Sequence, residues 1–251
     1  NMNKETITIL ILSIVLLGII FFVIKSFNDP LTPQIYLVNT YLYIYGGLII
    51  IILFSAILGK FNIFQTLNPI MLFITFILSI ISMFGILYTS TNNQLIKHFF
   101  FILFLFSISI STCQLYKIAL NNNTLYSVLI TLGIIIISLT ILAYTQSPDT
   151  FSSWGPYLMI GLCGLIVFQV LDMIFGTTEG LMARDKIYGW ITVIIFSGFI
   201  LYNTQIIRQD AIIVSNSCPS KNQLACADYP SESLSMILNF INLFAGLVRA
   251  I

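Results

Sequence analysis

Charged residues are scarce in this sequence. Only 8% of the 251 residues are Asp, Glu, Lys or Arg, whereas a soluble domain carries about 25%. Hydrophobic residues make up 58% of the chain, and the mean hydropathy is +1.01. The chain is therefore predicted to be a membrane protein that crosses the bilayer several times. Ten basic residues against nine acidic ones leave no basic field, which excludes nucleic-acid binding.

The side chains that metal sites and active sites need are also few. The sequence has one histidine, His98, and four cysteines that form no closely spaced pair. It contains no nucleophile with a neighbouring base, no phosphate-binding loop and no metal-ligand cluster, so we predict no enzyme activity, no metal and no cofactor. His98 lies at the mouth of an apolar run and is interpreted as a solvated interface residue.

Long apolar runs dominate what remains. An 18-residue run is roughly 27 Å long as a helix, which is enough to span a bilayer. No small-residue cleavage motif follows Lys25, so the first run is interpreted as a transmembrane helix rather than a signal peptide. Tyr36, Tyr41, Tyr43 and Tyr45 are interpreted as an interfacial aromatic belt. The predicted spans are 7–24, 35–58, 69–88, 96–115, 125–144, 157–175, 187–207 and 234–251.

These runs predict an all-α integral membrane protein, an eight-helix transmembrane bundle. Residues 1–34 are predicted to form one transmembrane helix and its connector, and residues 35–251 a seven-helix transmembrane domain. The segment 176–186 is predicted to be a charged loop, and 208–233 is predicted to be the longest loop.

The last run is unusual because it carries two asparagines. Asn239 and Asn242 are three residues apart and so share one face of a helix. Asn203, near the end of the preceding run, lies at a similar depth, roughly 6–8 Å from the same membrane face. An amide alone in hydrocarbon costs several kcal/mol, so each should have a protein partner. We therefore expect the last helix to lie inside the bundle with its polar face against Asn203.

Three further residues have two interpretations each. Asp172 lies in the sixth run, about one turn from its end. It is either a carboxylate on an ion path or a side chain that reaches headgroup water. Cys218 and Cys226 lie in the last loop, where a disulfide is the preferred interpretation and two free thiols are the alternative.

Basic residues divide six to four between the two sides of the predicted bundle, which favours both termini inside and the Cys218–Cys226 loop outside. The six are Lys4, Lys60, Lys117, Arg184, Lys186 and Arg249, and the four are Lys25, Lys97, Arg208 and Lys221.

The C-terminal half resembles the Bax inhibitor-1 family, also called the transmembrane Bax-inhibitor-motif family. Its members have a GFxxYDTQ stretch and then an LDIINLFLxLLR stretch; here 198–205 reads GFILYNTQ and 238–244 reads LNFINLF. The family's acidic-Tyr pair and its Tyr-Thr…Asp-Phe-Ser loop are matched at 228–229 and at 144–152. The resemblance covers 125–251, whereas 7–24 has no counterpart.

The resemblance implies a seven-helix fold around a central last helix, calcium leak across a membrane and suppression of cell death. It also implies a proton sensor made of two aspartates, at the positions of Asn203 and Asn239 in this chain. Asparagine keeps the hydrogen bond but cannot titrate. Family members keep the loop before the last helix in the cytosol, which conflicts with the charge count.

Two functional hypotheses follow. The first is a calcium or cation leak that modulates cell death and has lost its proton sensor. The second is a structural membrane protein that anchors or packs a larger assembly, such as a virion inner membrane or an organellar complex. The expected partners are the lipid bilayer, calcium under the first hypothesis, and other membrane or capsid subunits under the second. The membrane could be endoplasmic-reticulum-derived, organellar or viral.

Overall fold

The computed structural model describes residues 4–27, 29–59, 69–147, 149–175, 181–218 and 223–251. Most of these residues are helical, and none of them lies in a strand. Eight of the described helices are long and apolar enough to cross a membrane, which confirms the predicted fold class. In chain order the helices are α1 Lys4–Ser26, α2 Pro33–Leu58, α3 Pro69–Tyr88, α4 Gln94–Asn121, α5 Leu125–Thr145, α6 Gly155–Phe175, α7 Leu181–Ser217, the short α8 Gln223–Cys226 and α9 Tyr229–Ala250.

Local signals in the sequence set several helix ends. Thr32 precedes α2, and its side-chain oxygen accepts from the backbone N–H of Ile35 at 3.2 Å, while Pro33 occupies the first turn, where no N–H is needed. Asp228 caps α9 in the same way, because its Oδ1 accepts from the backbone N–H of Ser231 at 3.2 Å. Asn123 separates α4 from α5 with a positive φ of 57°.

The last two spanning helices are longer than predicted. Arg184, Asp185 and Lys186 lie in α7 rather than in a loop, and α7 continues past 207 to Ser217. No proline or glycine interrupts the chain between 199 and 217, and a polar side chain does not break a helix whose backbone remains paired. At 37 residues, α7 is about 55 Å long, so it projects well beyond a hydrocarbon core of about 30 Å.

The last loop is shorter than predicted, because α7 ends at Ser217 instead of 207 and α9 starts at Tyr229 instead of 234. Lys60, Glu179 and Lys221, which belong to the predicted loops, lie outside the described residues. The predicted boundary between residues 34 and 35 stays a prediction.

The chain forms two compact units. The first consists of Asn1–Tyr116 with Asp210–Ile237, and the second of Lys117–Gln209 with Leu238–Ile251. Both α7 and α9 contribute to each unit. They are also the most buried spans, at 61% and 56% of their residues, compared with 11% for α1 and α6. The last helix is therefore an inner helix, as predicted.

Candidate functional site

The two asparagines at the positions where the resemblance implies aspartates are buried in the second unit. Asn203 in α7 is 9% exposed, and Asn239 in α9 is 5% exposed. Within the described part of the chain, no hydrogen bond joins the two side chains, and Nδ2 of Asn239 has no hydrogen-bond partner. The predicted amide pair is therefore not formed. Equal depth along two helices does not fix the rotation of each helix about its axis, and that rotation decides which side chains meet.

Asn242 differs from Asn239 although both lie on the same helix. Its side chain is half-buried, and its Nδ2 donates to the carbonyl oxygen of Leu238, one turn earlier, at 2.8 Å. Asn242 thus satisfies its amide within α9. By contrast, the side chain of Asn239 is buried, and its amide nitrogen has no hydrogen-bond partner among the protein atoms.

The rest of the GFILYNTQ segment holds the connection between α5 and α6. Oε1 of Gln205 accepts from the backbone N–H of Phe151 at 2.6 Å, and its Nε2 donates to the carbonyl oxygen of Ser147 at 2.8 Å. Nη1 of Arg208 donates to the carbonyl oxygen of Ala143 at 3.0 Å, and its guanidinium lies 4.8 Å from the ring centre of Tyr144. The two motif segments quoted above, 198–205 and 144–152, therefore contact each other through Gln205.

Asp172 is paired rather than isolated. Its Oδ1 lies 2.9 Å from Nε of Arg184, and the side chains are 20% and 29% exposed. Arg184 is close because α7 begins before the predicted loop ends. A carboxylate held by a guanidinium is a poor ion-path ligand, since a passing cation would have to displace the arginine.

The first unit contains a second polar site, which we call the buried polar cluster: Lys97, Asp228, Asn39, Gln223 and Tyr229. Lys97, in the first turn of α4, is 1% exposed and is paired with Oδ2 of Asp228. The same carboxylate uses its other oxygen to cap α9. Lys97 was predicted only as a basic residue at a membrane surface, so its burial is a finding of the structure.

Gln223 is the most connected residue of the buried polar cluster and is fully buried. Its Oε1 accepts from Nδ2 of Asn39 at 2.8 Å and from the hydroxyl of Tyr229 at 2.9 Å. Its Nε2 donates to the carbonyl oxygens of Ser26 and Asp29 at 2.6 and 2.8 Å. Gln223 therefore fastens the end of α1 and the following connector to α2 and α9.

A disulfide holds the short helix that carries Gln223. Cys218 and Cys226 are joined with a Cα–Cα distance of 5.7 Å. Gln223 lies between them in sequence and is the first residue of α8. The bond limits how far α8 can move, so it keeps the glutamine in its buried position. Of the other two cysteines, Cys113 is buried and Cys163 is exposed.

His98 and two of the tyrosines are packed rather than solvated. His98 Nδ1 lies 2.7 Å from the carbonyl oxygen of Gln94, which can only accept, so Nδ1 donates this hydrogen bond. Nε2 forms a hydrogen bond with the hydroxyl of Tyr43 at 2.7 Å. The Tyr43 ring stacks on that of Tyr229 with centres 5.4 Å apart, and Tyr36 is 1% exposed. The interpretations of His98 as solvated and of all four tyrosines as a belt are therefore wrong.

Helical periodicity could have indicated this arrangement. Tyr36, Asn39 and Tyr43 follow one another at spacings of three and four residues, which places them on a single face of α2. Tyr41 and Tyr45 form a separate stacked pair on that helix, with ring centres 6.3 Å apart. An asparagine on the same helical face as two tyrosines indicates a polar contact inside the protein.

The fold and these sites define a helical multi-pass membrane protein whose spans contain buried amides. No group of three or more His, Cys, Asp or Glu residues that could hold a metal occurs among the described residues. The chain belongs to the Bax inhibitor-1 family: the family model described as Bax1-I, Inhibitor of apoptosis-promoting Bax1, matches residues 33–251. The helix α1 precedes the matched region.

Two bacterial relatives are similar to this chain. An uncharacterized protein of Borreliella burgdorferi is 28% identical over 149 residues, which are 59% of this chain and 60% of the relative. An uncharacterized membrane protein of Vibrio cholerae is 28% identical over 117 residues, which are 46% of this chain and 44% of the relative. The chain thus spans about half the length of these relatives.

Proposed function

We propose that this chain is a slow cation leak of the Bax inhibitor-1 type, able to pass calcium, whose rate does not respond to pH. The observation that carries the proposal is the buried Nδ2 of Asn239, which has no protein hydrogen-bond partner. An unpaired amide inside a membrane span costs several kcal/mol. Water that reaches Asn239 removes this cost, and a hydrated position inside a span is what a leak path requires.

The independence from pH follows from the side chains at the two sensor positions. The side chains of Asn203 and Asn239 do not ionise, so they cannot switch between a paired and a repelling state as two carboxylates can. Asp172, the carboxylate proposed from the sequence, is paired with Arg184 at 2.9 Å. The conduction path therefore has no titratable gate at these positions.

The slow rate follows from the same residues. Calcium prefers several oxygen ligands, and carboxylates compensate its charge better than amides do. An amide oxygen can replace one water of the hydration shell but supplies no negative charge. A path lined by asparagine therefore discriminates weakly between cations and conducts calcium slowly. The role in suppressing cell death implied by the resemblance would act through this leak.

The test is calcium entry into liposomes that contain the full chain and a trapped indicator. We expect entry faster than in protein-free liposomes, at equal rates at about pH 6 and about pH 8. The double variant Asn203→Asp with Asn239→Asp should gain a pH-dependent rate, because it restores two ionisable groups. Asn122→Asp makes the same chemical change in an exposed turn and should leave the rate unchanged.

The structural role is the second candidate. It is favoured by the way Gln223 fastens α1, which lies outside the family match, to α2 and α9. The leak would be contradicted if calcium entered liposomes with the native protein no faster than protein-free liposomes, while the double aspartate variant conducted calcium. The structural role would then remain.

A further inference from the structure

An apolar cavity of about 340 Å³ lies within the first unit, where α1 packs beside α2 and α4. Its walls are aliphatic and aromatic side chains from all three helices. They include Leu16, Ile19 and Ile20 of α1, Ile50 of α2, and Phe101 and Ile102 of α4. Without α1 the cavity would lose one of its walls, and α1 precedes the region that matches the family. The cavity is thus a feature of this chain's additional helix.

The chemistry of the walls excludes water and polar ligands. The lining has two polar side chains, Tyr43 and His98. The hydroxyl of Tyr43 and Nε2 of His98 are hydrogen-bonded to each other at 2.7 Å, and Nδ1 of His98 is hydrogen-bonded to the carbonyl oxygen of Gln94. A cavity lined by apolar atoms stays dry. Its volume equals that of about eleven water-sized groups at ~30 Å³ each. A hydrocarbon chain of about eleven carbon groups would therefore fill it.

The cavity opens toward the lipid. Ile20, Ile24 and Ile102 at its edge are 44%, 60% and 48% exposed, and they lie within the spans of α1 and α4. Large exposed apolar side chains within a span face hydrocarbon. Whatever enters the cavity past these residues therefore comes from the acyl region of the bilayer.

We propose that this cavity is a lipid site that holds one acyl chain of a membrane phospholipid, inserted between α1 and α4 from the bilayer. The phospholipid headgroup makes no specific contact, because the cavity offers no unpaired polar atom. The bound chain fills the space between the additional helix and the helices of the family fold, and it restores the dispersion contacts that an empty cavity would lack. The site is independent of the proposed leak, which depends on residues of the second unit.

The experiment uses the full chain in lipid nanodiscs that contain a phospholipid with a photoreactive diazirine in the middle of one acyl chain. After irradiation, mass spectrometry locates the crosslinked residues. We expect labelling at the lining residues of α1, α2 and α4 to exceed severalfold that at lipid-facing side chains elsewhere, such as Phe73 of α3, which is 64% exposed. Equal labelling of the lining and of Phe73 would overturn the proposal.

A pair of variants tests the cavity itself. Ile50→Trp fills the cavity and should reduce labelling of the lining severalfold. Ile57→Trp makes the same change on the same helix at a side chain that is 42% exposed and outside the lining, so it should have no effect. If Ile50→Trp does not fold, Ile102→Trp at the exposed edge should give the same reduction. Unchanged labelling in a folded Ile50→Trp or Ile102→Trp protein would contradict a site within this cavity.

Discussion

Gly189 of α7 and Gly246 of α9 bring the backbones of these two helices into direct contact. A Cβ atom on Gly189 would lie 2.8 Å from the carbonyl oxygen of Gly246 and 2.8 Å from the backbone nitrogen of Ala250. A Cβ on Gly246 would lie 3.0 Å from the carbonyl oxygen of Gly189. Small residues permit such close helix crossings in membranes, where packing supplies most of the association energy. This crossing joins the two helices that carry Asn203 and Asn239.

Replacing Gly189 by alanine should therefore destabilise the protein. The new methyl group would meet backbone atoms, which cannot move aside as a flexible side chain can, and overpacking of this kind costs about 1–3 kcal/mol. Gly133→Ala is the matched control: a Cβ on Gly133 has no atom within 4 Å, so alanine should stabilise α5 by about 0.5–1 kcal/mol. The measurement is the midpoint of thermal unfolding in detergent. Shifts of the same sign would show that α7 and α9 do not cross at Gly189.

The ion pair of Lys97 and Asp228 gives a second prediction. Asp228→Asn keeps an oxygen to cap α9 but leaves the buried ammonium without a counter-charge, which should cost about 3 kcal/mol. The double variant with Lys97→Met should recover most of this loss, because it removes the unpaired charge and keeps a side chain of similar length. Asp29→Asn, at an exposed position of the connector, is the control and should have little effect. Equal unfolding midpoints for Asp228→Asn and Asp29→Asn would contradict the pairing.

The disulfide gives a third prediction. The bond closes a loop with a sequence separation of 8, for which the chain-entropy relation gives about 2.5 kcal/mol. The double variant Cys218→Ser with Cys226→Ser should lose about that amount, together with protection of the backbone near Ser26 and Asp29 against hydrogen exchange. Cys163→Ser, at an exposed thiol, should change neither quantity. Unaltered hydrogen exchange at 26–29 in the double serine variant would show that the disulfide does not position Gln223.

The sequence predicts the spans well because bilayer thickness imposes long apolar runs. It predicts the ends of α7 and α9 poorly, since polar residues such as Arg208 and Asp210 continue a helix that leaves the hydrocarbon. The resemblance locates Asn203 and Asn239, but it does not fix how their side chains are turned. The buried polar cluster is the part that the sequence could not predict, because its partners are far apart along the chain. Lys97 and Asp228 are separated by 131 positions, and Asn39 and Gln223 by 184.

Water at Asn239 is the condition on which the proposed leak depends, and the reactivity of a cysteine at that position measures it directly. In a Cys163→Ser background, Asn239→Cys should react with a charged, membrane-impermeant thiol reagent, because the reactive thiolate forms only where water reaches it. Asn122→Cys, in an exposed turn, is the positive control. The reagent is added on each side of the membrane in turn. If the thiol at position 239 stays unmodified in both cases while the thiol at position 122 reacts fully, the hydrated path is contradicted, and with it the leak.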